Sequence, residues 1–197
     1  MPGIVPYVVR LESLRSFFGS KNVPELEKIK SLNKQYLADY EADEAPAIAA
    51  GSPSLGAALD HLCVGEIRKP DHPAPYAWAL ELLCAHFGQK QSNRFTESLD
   101  DNWLVRNLDP VFRGWGLGTV LSTATFLRGA WPLPIPSPRG LPTGGTLTPS
   151  EIEHALMAMR AGAVPRVDQS VISVLGDLRG WLETASGSSS GVVCFYY

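Results

Sequence analysis

Val192-Val193-Cys194-Phe195-Tyr196-Tyr197 is a run of β-branched and aromatic residues interrupted only by Cys194, side chains that suit the pleated, half-buried surface of a strand. A counterpart stands at the other end, Ile4-Val5-Pro6-Tyr7-Val8-Val9, equally short and rich in β-branched residues. A pair of strands is marginal in water unless something packs on it. The sequence therefore predicts that the two share one small sheet with helices covering a face. Pro6 has no N–H to give to a ladder, so its side of the strand is expected to face a sheet edge. The fold class that follows is α+β: residues 1–197 as a single globular domain, mainly helical, with a small sheet formed by the N- and C-terminal strands.

Helical signals fill the interval. Residues 11–18 read as one or two turns stopped by Gly19. Asn22 and Pro24 start a helix whose apolar stripe is Leu26, Ile29, Leu32, Tyr36 and Leu37; it fades in the acidic run 39–44. Small residues at 45–53 read as a linker, after which Ser52 caps a helix carrying Leu55, Leu59 and Leu62. Past a proline-rich turn at 69–75, residues 76–87 are apolar nearly all the way round and end at Gly88, as expected of a central, buried helix. The stretch 89–102 reads as surface loop, and 103–128 as two short helices broken at Gly114–Gly118. Five prolines in 131–145 demand an extended, polyproline-like course. Thr148, Pro149 and Glu151 form a capping box with proline at the first helical position, and a last helix is expected from about 168 to 185.

Composition narrows the function classes. The chain is 45% hydrophobic and 19% charged, which gives it a core to bury. With 17 basic against 20 acidic residues and a net charge of −3, it lacks the basic surface that nucleic-acid binding requires. No window reaches the roughly 18 apolar residues of a membrane span, and no leader pattern stands at the start. Cys63, Cys84 and Cys194 are odd in number and scattered through apolar runs. That pattern suits buried thiols in a reducing compartment, and the expected location is the cytoplasm.

No sequence signature of catalysis is present. Glu81, set among Tyr76, Trp78, Leu80, Leu82, Leu83 and Cys84, is the residue of greatest interest. A carboxylate there must be paired, or have its pKa raised by burial, which is how general acids arise. Glu66 and Tyr76 join it as a candidate acidic pocket. The four histidines show no ligand spacing, so no metal and no cofactor is expected. Gly114-Trp115-Gly116-Leu117-Gly118 lacks the spacing and the lysine of a phosphate loop and reads as a break between helices. Asp39, Glu41, Asp43 and Glu44 form an acidic face suited to a basic partner, and Trp131, beside the prolines, is a further candidate contact.

Taken together, Tyr76-x-x-Ala79-Leu80-Glu81-x-Leu83-Cys84, the segment Pro132-Leu133-Pro134-Ile135-Pro136 and the terminal Cys194-Phe195-Tyr196-Tyr197 resemble an uncharacterised bacterial protein family of similar length and without known activity. In that family the proline segment is followed by Asp-Phe-Pro, whereas here Arg139-Gly140-Leu141-Pro142 follows it, so no shared acidic site is implied. The reading that fits best is a non-catalytic cytosolic binding protein of bacteria, toxin-neutralising (immunity-type) or adaptor, with another protein, such as a basic toxin, as partner and neither nucleic acid nor membrane. The alternative is a small enzyme or ligand-binding protein with an acidic pocket around Glu81.

Overall fold

The computed structural model describes residues 3–93, 100–138, 140–163 and 166–197. Its centre is the pair foreseen from the sequence: β1 (Ile4–Val9) runs antiparallel to β4 (Gly191–Tyr196), with Ile4 opposite Tyr196 and Val9 opposite Gly191. The sheet has four strands, however, in the order β2-β1-β4-β3. The additions are β2 (Gly88–Lys90) beside β1 and β3 (Thr143–Leu147) beside β4, both antiparallel. β1 is thus an inner strand, which corrects the edge expected from Pro6. A strand residue turns its N–H and C=O toward the same neighbour. Pro6 turns toward β2 just where that strand ends, and its carbonyl accepts from Gln91 N at 2.9 Å, so no donor is missed.

The two faces of the sheet build separate cores. Ile4, Val8, Val192, Cys194 and Tyr196 point one way, into a cluster with Leu104, Phe112, Ile152, Leu178 and Leu182. Those partners lie on or beside α7 (Asp101–Asn107), α8 (Asp109–Gly114), α9 (Thr123–Arg128), α10 (Pro149–Ala161) and α11 (Gln169–Gly187). Tyr7, Val9, Val193 and Phe195 point the other way, among Leu14, Ile29, Leu59, Leu62, Leu80 and Leu83. That layer holds α1 (Leu11–Phe17), α2 (Val23–Leu32), α3 (Lys34–Asp43), α4 (Ala45–Ala49), α5 (Leu55–Val64) and α6 (Ala74–Phe87). Helices therefore cover both faces, not one. This is why β4 carries no polar alternation: every one of its residues is buried. The result is a mainly helical single domain with a small sheet.

Several boundaries depart from the sequence reading. The helix expected to run from Asn22 into the acidic run is two helices, because Asn33 turns its side-chain amide back to the Ile29 carbonyl (2.8 Å) and takes a non-helical ψ of 19°. Leu32 and Tyr36, placed on the apolar stripe, are 69% and 40% exposed. The expected linker 45–53 contains α4, and the cap of α5 is Ser54, whose hydroxyl accepts from Ala57 N, instead of Ser52. The interval 103–128 holds three helices. Part of the loop expected at 89–102 falls outside the described residues.

The proline segment, expected to run extended, bends at 132–134, where Ile135 N donates to the Leu133 carbonyl (2.8 Å), and its last residues enter β3. It sends Leu133 and Ile135 into the core around Tyr7 and Val193 while Trp131 packs on Phe195 with ring centroids 5.3 Å apart. The capping box at Thr148 and Glu151 forms as read. Gly65 ends α5 at φ +76°, a left-handed residue that also lets the backbone of Gly19 pass against it.

Candidate functional site

The site is organised by α6, the helix whose apolar residues leave little solvent face. Eight of its residues are buried, so it lies flat on the sheet and its few polar atoms must find partners. At its start, the Tyr76 hydroxyl accepts from Lys69 N (3.0 Å) and stands 2.9 Å from His61 Nδ1. Burial, and then the charge of Arg68, lower the His61 pKa. A neutral imidazole accepting the Tyr76 proton satisfies all three groups, and Tyr76 thereby pins the turn at 66–73.

Glu81 lies five residues further on and is partly buried. The Tyr7 hydroxyl of β1 donates to its Oε1 at 2.9 Å. Tyr197, following β4, comes close enough for each group to perturb the other's titration. Its buried hydroxyl makes no hydrogen bond of regular geometry among the described residues. Tyr36, from α3, also feels the Glu81 charge, and its hydroxyl is pushed up to about 12, first by burial and then by that charge. Burial raises the Glu81 carboxyl above the ordinary carboxylate range. The tyrosines Tyr197 and Tyr7, and then Lys90 of β2, pull in the opposite direction without cancelling the rise. The Tyr7 and Tyr197 hydroxyls are themselves raised, by burial and then by the carboxylate. Cys84 is fully buried, with its thiol well up for the same two reasons. Three of the six tyrosines in the chain thus surround one carboxylate.

One turn back along α6, Trp78 stacks on Tyr197 (centroids 4.9 Å apart, planes at 13°) and lines an open cleft of about 880 Å³. The cleft is walled by Tyr40 and Glu44 from the end of α3, by the turn Pro70–Pro75, and by Ser137, Pro138, Gly140 and Leu141. Tyr40 is pushed up to about 12 by burial, then by Glu44 and Tyr36. Residues four apart on a helix are neighbours. The stripe Tyr36-Tyr40-Glu44 on α3 therefore runs from beside Glu81 into the cleft, as Trp78-Glu81 does on α6.

The candidates from the sequence are distributed unevenly over this arrangement. Glu81 stands at its inner end. Tyr76 is buried with its hydroxyl fully engaged, on the turn side of α6. Glu66 is exposed and pairs with Arg68 (3.0 Å), away from Glu81 in its contacts. Asp39, Glu41, Asp43 and Glu44 are all exposed and, among the described residues, form no ion pair. Asp39 accepts from Gln35 (2.7 Å), and of the four only Glu44 lines the cleft. Trp131 is packed on Phe195, apart from that face. Sequence reasoning missed Tyr7, Tyr36, Tyr197, Asp71 and His72. The strand phase held a signal for two of them: once β1 and β4 are paired, positions 7 and 197 fall on one face.

The three cysteines are free and buried. Among the described residues no three His, Cys, Asp or Glu side chains gather as a metal site would require, and no helix is long and apolar enough to cross a membrane. The model of one family, described as "Domain of unknown function (DUF7691)", matches residues 2–197. No curated protein and no solved structure matches.

Proposed function

The chain belongs to that family of domains of unknown function, and from the shape of its cleft we propose that it binds another protein, holding a cationic segment of it between α3, the turn 70–75 and the wall made by Ser137, Pro138, Gly140 and Leu141. One observation carries the reading. The described lining offers the carboxylates Glu44 and Asp71 beside the rings of Tyr40 and Trp78. A cation over an aromatic ring gains about 0.5–2 kcal/mol as it loses water, and a nearby carboxylate adds to that. Prolines make the rim stiff, so little order is lost on binding. Asp39, Glu41 and Asp43 extend the negative field along α3 and would steer a basic partner toward the cleft.

Neutralisation of a basic toxin, or an adaptor role in the bacterial cytoplasm, is the narrower form of this proposal. Three buried thiols suit such a reducing compartment. The enzyme reading has less support. Glu81 lies outside the cleft lining, and the hydroxyls around it are weak acids held protonated.

The test is affinity capture from the native cells with the wild-type chain and with the double reversal Glu44→Lys, Asp71→Lys. The expected result is one stoichiometric basic protein, retained by the wild type, weakened by salt and lost by the reversed chain. Equal capture of that protein by both chains would place the interface elsewhere and end the proposal.

A further inference from the structure

Resting on that reading, we infer that Glu81 is the anchor for one arginine side chain of the bound segment, whose guanidinium meets the carboxylate where Tyr36 and Tyr197 flank it. Continuity is the first ground. Tyr40 and Trp78 line the cleft, and Tyr36 and Glu81 stand on the next turn of the same two helices. A segment lying in the cleft can therefore reach Glu81 along a path walled by aromatic rings. Access is the second: Glu81 is partly and Tyr36 40% exposed.

Chemistry is the third. The titratable and charged groups facing Glu81 are Tyr7 from β1, Tyr36 from α3, Cys84 on its own helix, Lys90 from β2 and Tyr197. Four of these are neutral, and the charge of Lys90 leaves the burial cost of the carboxylate only partly met. The Tyr7 hydroxyl donates to Oε1, and a carboxylate has about four lone-pair sites, so it can accept a guanidinium as well. A guanidinium is planar, stacks on aromatic faces and stays charged at any pH of interest, whereas an ammonium is compact and holds its water more tightly. The stacked pair Trp78–Tyr197 beside Glu81 favours the former.

The probes are N-acetyl-arginine amide and its neutral isostere N-acetyl-citrulline amide, titrated into the full chain while the tyrosine ring signals are followed by NMR. The arginine amide should move the Tyr36 and Tyr197 signals and the citrulline amide should not. Its Kd should rise at least tenfold in Glu81→Gln and in Tyr36→Ala, and stay within twofold in Glu66→Gln. Wild-type affinity should fall at acidic pH as Glu81 takes up its proton, and the dependence should vanish in Glu81→Gln. The side-chain carbonyl introduced by Glu81→Gln can still accept from Tyr7, and Tyr36 is exposed, so both variants are expected to fold; far-UV circular dichroism checks this. Unchanged binding by Glu81→Gln, or shifts confined to Tyr40 and Trp78, would overturn the assignment. Because the probes contain no partner protein, loss of the arginine site and failure of the cleft proposal are read independently.

Discussion

Gly88 joins α6 to β2, and the substitution Gly88→Ala tests how tightly that junction is built. A Cβ there would lie 2.5 Å from the Val8 carbonyl oxygen, 2.7 Å from Val9 Cβ and 2.9 Å from the Cys84 carbonyl oxygen. All three atoms are backbone or next to it, and they belong to the inner strand and the central helix, so none can swing aside. Relief requires β2 to part from β1 or the last turn of α6 to open. Overpacking of a dense interior costs about 1–3 kcal/mol and more when backbone must move; about 3 kcal/mol is expected here. For a domain of this size that is a fall in Tm of about 6–12 °C. The matched control is Gly180→Ala in α11, where the new methyl meets nothing within 4 Å. A helix interior favours alanine over glycine by roughly 0.5–1 kcal/mol, so this variant should melt higher than wild type. Both are measured by urea titration and thermal melting. A Gly88→Ala chain within about 1 kcal/mol of wild type would show that the contacts of β2 with β1 and α6 do not form as described.

Two further outcomes follow from the site. The folded chain holds the Glu81 proton at pH values where the unfolded chain has released it, so this group's contribution is full below the ordinary carboxylate pKa and is lost as pH rises through the folded value. Glu81→Gln removes that loss, so its stability relative to wild type should climb as pH rises out of the ordinary carboxylate range; parallel pH–stability curves for the two chains would contradict the burial of the charge. Tyr76→Phe leaves the Lys69 N–H and His61 without the shared hydroxyl, at a cost of about 1–3 kcal/mol. Amide exchange at Lys69 should quicken, and unchanged protection would mean the turn is held by something else.

How much was legible in the sequence depended on where each residue's partners lie along the chain. β1 and β4 were readable because burial on both faces leaves an uninterrupted apolar run. β2, Gly88-Gln89-Lys90, and β3, Thr143-Gly144-Gly145-Thr146-Leu147, carry almost no strand propensity. β3 is glycine-rich because α9 crosses it backbone to backbone, with Gly129 Cα only 3.0 Å from where a Cβ of Gly145 would stand. That need is tertiary and leaves no local trace. Glu81 stood out because a carboxylate on an apolar helix is anomalous by itself. Its company did not, since Tyr7 lies 74 residues away and Tyr36 on a separate helix. The acidic run 39–44 showed a charged face, but the cleft beside it is walled by the turn 70–75 and by Ser137, Pro138, Gly140 and Leu141, which nothing local could place there. Asn33 split one helix into two through a side-chain bond to the carbonyl four residues back, which competes with helix wherever asparagine occurs.

The pairing of β1 with β4 also sets an order of assembly. Synthesis runs from the N-terminus at about 5–20 residues per second, so β1 is made roughly 10–40 s before the strand that will cover its long flank. During that interval α1, α2, α5 and α6 can gather on one face of β1, and the three-residue β2 can close one side. The other side waits as a row of unpaired amides and carbonyls beside Ile4 and Val8, whose core has yet to be translated. Such a flank accepts any passing strand. The nascent chain therefore depends on being shielded until β4 arrives, and its yield in cells should respond to chaperone supply and translation speed more than its final stability would suggest.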